Sequence, residues 1–104
     1  MPTSLTLDTA RYNDGKLKLV AAGEIDLSNI HEFTQALAAA TRSDGIFLVD
    51  LSGVEYLDSA AINALATHAD HIHLVAHRFL MPVLRISGLT ELTTVEPAPP
   101  GDTV

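Results

Sequence analysis

Four consecutive apolar residues, Ile46-Phe47-Leu48-Val49, lead into Asp50-Leu51-Ser52-Gly53-Val54-Glu55-Tyr56-Leu57-Asp58-Ser59 and then into the helix-favouring run Ala60-Ala61-Ile62-Asn63-Ala64-Leu65. This junction constrains the fold more than any other segment. A short, continuously apolar run reads as a central strand covered on both faces or buried deep in a sheet. The polar stretch after it predicts a short turn, holding Glu55 and Tyr56, that delivers Asp58 and Ser59 to the mouth of a helix over Ala60–Ala69. At such a mouth the first backbone N–H groups point outward and the helix dipole favours negative charge. A serine there either caps the helix or carries a phosphate that the helix end helps to hold. Asp58 is itself a capping residue type.

The flanking segments give the junction its setting. Leu5 and Leu7 alternate weakly within Ser4–Ala10, which reads as an edge strand. Asn13-Asp14-Gly15 is a turn signal, and Lys16-Leu17-Lys18-Leu19-Val20 alternates with period two, so the pair predicts a hairpin with one solvated face. Gly23-Glu24-Ile25-Asp26 ends the second strand. Asn29 followed by Glu32 is a variant capping box, with the Asn29 amide oxygen expected on the helix N–H groups. Ile30, Phe33, Leu37 and Ala40 share one helical stripe, which Ser43-Asp44-Gly45 closes. Ile62, Leu65, Ala66 and Ala69 form the next stripe, and His71-Ile72-His73-Leu74-Val75 alternates as a strand. Pro82 opens a short helix over Val83–Ile86, stopped by Ser87-Gly88, and Thr93-Thr94-Val95 makes a last short strand. The order β-β-α-β-α-β-α-β predicts an α/β sandwich with a mostly parallel sheet of four to five strands and an N-terminal antiparallel hairpin. The domain is expected over residues 1–96. Pro97, Pro99, Pro100 and Gly101 mark residues 97–104 as a flexible tail.

Composition narrows the function. The chain has 104 residues, 6 Lys+Arg against 13 Asp+Glu, and a formal charge of −7, enough for one domain and one core. No basic stripe with interleaved aromatics is present, which argues against nucleic acid and against an anionic membrane surface. With no cysteine there is no disulfide or thiolate chemistry. The N-terminus lacks the basic and apolar regions of a signal peptide, and no apolar run approaches the roughly 20 residues that span a bilayer. A cytoplasmic protein is the expectation, as a monomer or weak homodimer given the self-repulsion of its charge.

Three segments together resemble the STAS domain, the family named for sulfate transporters and anti-sigma factor antagonists: Gly23-Glu24-Ile25-Asp26, the run from Val49 through Ser59, and Leu84-Arg85-Ile86-Ser87-Gly88-Leu89. The likeness covers roughly residues 5 to 96. It implies a STAS-like fold and a single-domain anti-sigma factor antagonist. In such members the serine after the aspartate is phosphorylated by a partner that is both anti-sigma factor and serine kinase. The unphosphorylated form binds that partner and frees a sigma factor for transcription. Carried over by position, Ser59 is the phosphoacceptor, Asp58 its neighbour and Asp26 an acidic residue on the same surface. Ala60, Ala61, Ile62 and Asn63 then contribute to the partner-binding face. The family pattern places Ser or Thr and then Gly after the phosphoacceptor, where this chain has Ala60 and Ala61, putting methyl groups on a close-approach surface. Members also often end in a further helix, which the Pro-rich tail cannot form.

Other readings are weaker. His68, His71, His73 and His77 form a local cluster of a metal-ligand type, with His71 and His73 on one face of the expected strand, but the cluster spans a helix end, a strand and a loop, and a solvated polar face is the better reading. Phe79, Leu80 and Met81 are either core or a docking patch. No G-x-S-x-G elbow, glycine-rich phosphate loop or paired carboxylates point to an enzyme, and no cofactor or metal is expected. A constitutive STAS scaffold, or an accessory subunit of a signalling or lipid-transport assembly with an unmodified Ser59, is the alternative to the switch.

Overall fold

The alternation of short apolar strands with helical stripes resolves, among the described residues, into five strands and four α-helices. A computed structural model describes residues 4–12, 16–42 and 45–99. Strands β1 (Leu5–Tyr12) and β2 (Lys16–Ile25) are followed by helix α1 (Ile30–Ala40), strand β3 (Phe47–Leu57) and helix α2 (Ser59–Thr67). Strand β4 (Ile72–Ala76), short helices α3 (Met81–Ile86) and α4 (Leu89–Leu92), and strand β5 (Thr94–Pro97) complete the order. Single 3₁₀ turns, Ala69–His71 and Arg78–Leu80, lead into β4 and α3. The strands lie in sequence order, β1-β2-β3-β4-β5, with β1 antiparallel to β2 and the remaining pairs parallel. The Asn13-Asp14-Gly15 turn and the Ser43-Asp44 part of the α1 stop lie outside the described residues, as does the tail beyond Pro99.

Sequential order fixes where the helices go. The right-handed rule for parallel crossovers, applied to strands that all step the same way, places α1, α2 and the α3–α4 pair on one face of the sheet. Their mutual packing, α1 on α2 and α2 on α4, agrees. Burial follows the pleat: Leu19, Ala21, Val49, Leu51, Leu74 and Ala76 point into the core against Phe33, Leu37, Leu65 and Leu84. The alternate residues Val20, Leu48, Asp50 and Val75 are only half-buried on the other face. The apolar run at the start of β3 is therefore central in the sheet but covered on one face, and Ile46 itself is exposed.

The predicted turn after Val49 does not form. β3 continues to Leu57, pairing Val20 with Asp50, Ala22 with Gly53, Glu24 with Tyr56 and Ile25 with Leu57. Two register shifts place an extra β3 residue between the first and second of these pairs and another before Tyr56. The first is held by Asp50, whose Oδ1 accepts from Ser52 N (2.9 Å) and Ser52 Oγ (2.6 Å). The local hydrogen bonding is that of an Asx turn, but strand pairing on both sides makes it a bulge. Glu55 and Tyr56 accordingly lie in the strand, both exposed, so Tyr56 is not a packing residue. Opposite, Gly23 has φ +106°, and a Cβ there would press into the Ser4 carbonyl oxygen, which accepts from Glu24 N at 2.9 Å. Only glycine allows β1 to reach this end of β2.

The α1 stripe matches its spacing, with Phe33 and Leu37 buried and Ile30 and Ala40 partly so. On α2 the buried side chains are Ala61, Ala64 and Leu65; of the expected stripe Ile62 and Ala66 are only half-buried, and Ala69 is buried in the 3₁₀ turn beyond the helix. Pro82 sits in the first turn of α3, which ends at Ser87-Gly88. α4, which has no counterpart in the expected order, fills the step to β5 and buries Leu89. Pro97 closes β5 rather than opening a tail.

Candidate functional site

The parallel pairing of β2 with β3 ends at Ile25↔Leu57, so Asp26 and Asp58 are the next residues on adjacent strands. Asp58 N donates to Ile25 O at 3.1 Å, tying the two exits together. Each carboxylate then organises its own loop. Asp58 has an extended backbone and its Oδ1 accepts from Ala60 N (3.0 Å) and Ala61 N (3.2 Å), making it the N-cap of α2. Asp26 Oδ1 accepts from Ser28 N (2.9 Å) and Ser28 Oγ (2.6 Å), the same turn that Asp50 makes with Ser52. The tripeptide Asp-Leu-Ser occurs at both places, a repeat that marks two Asx turns in the sequence.

Ser59 is the first helical residue, exposed, and its hydroxyl makes no hydrogen bond among the described residues. Of the two readings open for this serine, capping is taken by Asp58. The helix behind it, Ser59–Thr67, carries no charged side chain, and its accessible face near the mouth consists of half-buried Ala60 and Ile62 and exposed Asn63. Ala61, expected on this face, has no accessible surface and belongs to the core. Only one of the two alanine methyl groups behind Ser59 therefore reaches the surface.

Asn29 departs from its expected role. Its side chain does not cap α1. Instead Oδ1 accepts from Asp26 N (3.0 Å) and Nδ2 donates to Glu24 O (2.9 Å), folding the loop back on the end of β2. At 6% exposure it is the one buried polar residue among those described, and it positions Asp26 beside Asp58. The interaction is with the preceding strand, so the helix-start pattern gave no warning of it. Exposed Leu27 and Tyr56 add apolar surface around the acidic pair.

A cleft of about 370 Å³ opens next to this edge. β4 accompanies β3 only as far as Leu51↔Ala76, while β3 runs on to Leu57. Ser52–Glu55 form one wall, and His77, Phe79 and Leu80 the other. His77 Nδ1 accepts from Phe79 N at 3.1 Å, and the two rings lie 4.8 Å apart. Leu80 and Met81 are core, whereas Phe79 is exposed.

The four histidines are put to separate uses. His68 Nδ1 is 3.4 Å from Thr41 Oγ1, joining the ends of α1 and α2. His73 Nε2 lies 3.5 Å from Glu96 Oε1 across β4 and β5, too far for a good hydrogen bond. His71 is in the 3₁₀ turn before β4, not on the strand with His73, and His77 caps the turn before α3. Among the described residues no group of three or more His, Asp or Glu side chains converges as a metal site, and no helix is long and apolar enough to cross a membrane.

Comparison with curated proteins gives no match. Among solved structures, an anti-sigma factor antagonist from Mycobacterium paratuberculosis superposes with a TM-score of 0.80 at 25% identity, covering 91% of this chain and 87% of that one. An uncharacterized protein with a SpoIIAA-like fold from Shewanella loihica PV-4 has a TM-score of 0.60 at 13% identity, covering 91% and 85%, a likeness of fold alone. The family model described as "Mlab, STAS domain" matches residues 9–94, and with the sheet order and the strand-to-helix junction in agreement, the chain belongs to the STAS domain family.

Proposed function

We propose that this protein is an anti-sigma factor antagonist that binds an anti-sigma factor with serine kinase activity and is switched off by phosphorylation at Ser59. The observation that carries the reading is the division of labour at the α2 mouth: Asp58 caps the helix and the exposed Ser59 hydroxyl is left without a partner among the described residues. The structural likeness to an anti-sigma factor antagonist supports the class of partner. The partner-binding face is built from Asp26, Asp58, Ser59, Ala60, Ile62 and Asn63, and the ATP site belongs to the kinase. The setting is the cytoplasm, with the protein as a monomer or weak homodimer.

The electrostatics favour release. A phosphoserine adds about −1.5 to −2 charges. The α2 N-terminus compensates part of that charge, but Asp58 already occupies its first N–H groups and Asp26 stands alongside. Like charges set across an interface cost several kcal/mol, and about 1.4 kcal/mol is a factor of ten in affinity. One phosphate therefore releases a partner without unfolding the domain.

The second reading, a constitutive STAS scaffold or accessory subunit of a signalling or lipid-transport assembly, draws on the half-buried Ala60 methyl directly behind Ser59. Incubation with the cognate kinase and ATP, followed by mass spectrometry, separates the two. Phosphate on Ser59, with loss of partner capture in Ser59→Asp, is the expected result. An authentic partner that leaves Ser59 unmodified and still captures Ser59→Asp establishes the scaffold.

A further inference from the structure

The segment from His77 to Thr90 holds two arginines and no carboxylate, in a chain with 13 Asp+Glu and only 6 Lys+Arg. It is also apolar on both faces. Leu80, Met81 and Leu84 are buried beneath it, while Phe79 and Ile86 are 81% and 87% exposed and Val83 is 43% exposed. The 3₁₀ turn Arg78–Leu80 runs directly into α3, so positions 79, 83 and 86 stand at i, i+4 and i+7 and form one outward ridge. Arg78 and Arg85 are exposed and pair with no carboxylate among the described residues. An exposed apolar ridge of this kind marks a contact surface, and a cation pair beside it in an acidic chain specifies the sign of what covers it.

We infer that the Phe79–Val83–Ile86 ridge docks a protein segment whose apolar residues are flanked by Asp or Glu, with Arg78 and Arg85 taking its carboxylates. The ridge starts beyond the C-terminal end of β4, the end of the parallel strands from which Asp58 and Ser59 also emerge, but the inference does not depend on phosphorylation of Ser59. Glu55, on the opposite wall of the adjoining cleft, keeps the partner's carboxylates to the α3 side. A second copy fits poorly, because a two-fold contact through this ridge brings the arginines of both copies together with no acid between them. An anionic bilayer fits poorly as well: two arginines face a formal charge of −7, and α3 has six residues, short for an interfacial anchor.

The test uses the whole ¹⁵N-labelled chain and two synthetic amphipathic peptides with the same leucine stripe, one flanked by Glu and one by Lys. Amide shifts confined to Arg78–Leu92 are expected, with the Glu peptide binding about tenfold tighter or more and weakening as salt is raised. Arg78→Glu with Arg85→Glu is expected to reverse the preference. Val83→Ser with Ile86→Ser is expected to weaken both peptides while leaving the urea midpoint in place, since Leu80, Met81 and Leu84 hold the segment to the core. Equal or tighter binding of the Lys peptide, shifts centred elsewhere, or no shift at saturating peptide overturns the inference. Phosphatidylglycerol vesicles that perturb the ridge in preference to the Glu peptide also overturn it, in favour of a membrane contact.

Discussion

Replacing Asp58 and Ser59 in turn separates the structural residue from the free one. Asp58→Ala removes the acceptor for Ala60 N and Ala61 N at 3.0 and 3.2 Å, leaving the start of α2 uncapped. Loss of such a cap costs about 0.5–2 kcal/mol, and loss of a carboxylate at the positive end of the helix dipole about 0.3–1 kcal/mol more. Asp58 is half-buried and its helix is nine residues long, so few other interactions absorb the loss. The expected cost is about 1.5–2 kcal/mol, a fall of roughly 6–16 °C in Tm for a domain near this size. Asp58→Asn keeps an oxygen in place and gives up the charge, for a cost of about 0.5–1 kcal/mol.

Ser59→Ala touches no hydrogen bond among the described residues and exchanges a weaker helix former for the strongest, so its effect stays within about 0.5 kcal/mol of zero. Urea titrations followed by far-UV circular dichroism, with a common slope, give all three values on one scale. A Ser59→Ala cost equal to or above that of Asp58→Ala refutes the assignment of the cap. It would place the serine hydroxyl in the structural role and remove the main support for its regulatory one.

Substitutions at two further positions test how the site is held. Asn29→Ala leaves Asp26 N and Glu24 O without their partner in a buried position, for an expected loss of about 2–4 kcal/mol. Asn29→Asp does not restore it, because the donor to Glu24 O is still missing; urea midpoints for both variants check this. Gly23→Ala forces φ +106° on a residue with a Cβ aimed at the Ser4 carbonyl, for a cost of roughly 1–3 kcal/mol. Hydrogen exchange is expected to show the β1 amides opening first, with β3 still protected.

The elements set by side-chain period were legible, because period and burial have one cause. Phe33 and Leu37 on α1, and Leu74 within β4, sit inside for the reason their spacing predicts. What escaped was set by pairing across the sheet. Asp50-Leu51-Ser52-Gly53 has the chemistry of a turn and makes a turn's hydrogen bonds, yet β2 pairs on both sides of it and turns it into a bulge. Asn29 escaped for a similar reason: its partners are Glu24 and Asp26 behind it, not the helix ahead. The Asp58-Ser59 pair was legible as a helix start, but its division of roles required the geometry. Ala61 was expected on the surface because it takes a place in the family pattern after the phosphoacceptor, and it is core because helical rotation turns it inward.

That division of roles determines what kind of switch the site can be. Were Ser59 the N-cap, a phosphate would replace the hydroxyl acceptor, and modification would alter helix stability along with surface charge. With Asp58 holding Ala60 N and Ala61 N, the cap persists whatever stands on the Ser59 oxygen. Asp58 is held in turn by its own N–H on Ile25 O, a bond between the β2 and β3 exits that does not involve Ser59. Under the proposed function, phosphorylation then acts on the partner's affinity and not on the fold. On that proposal, partner exchange follows from charge at one exposed atom, and the helix cap is not required to change.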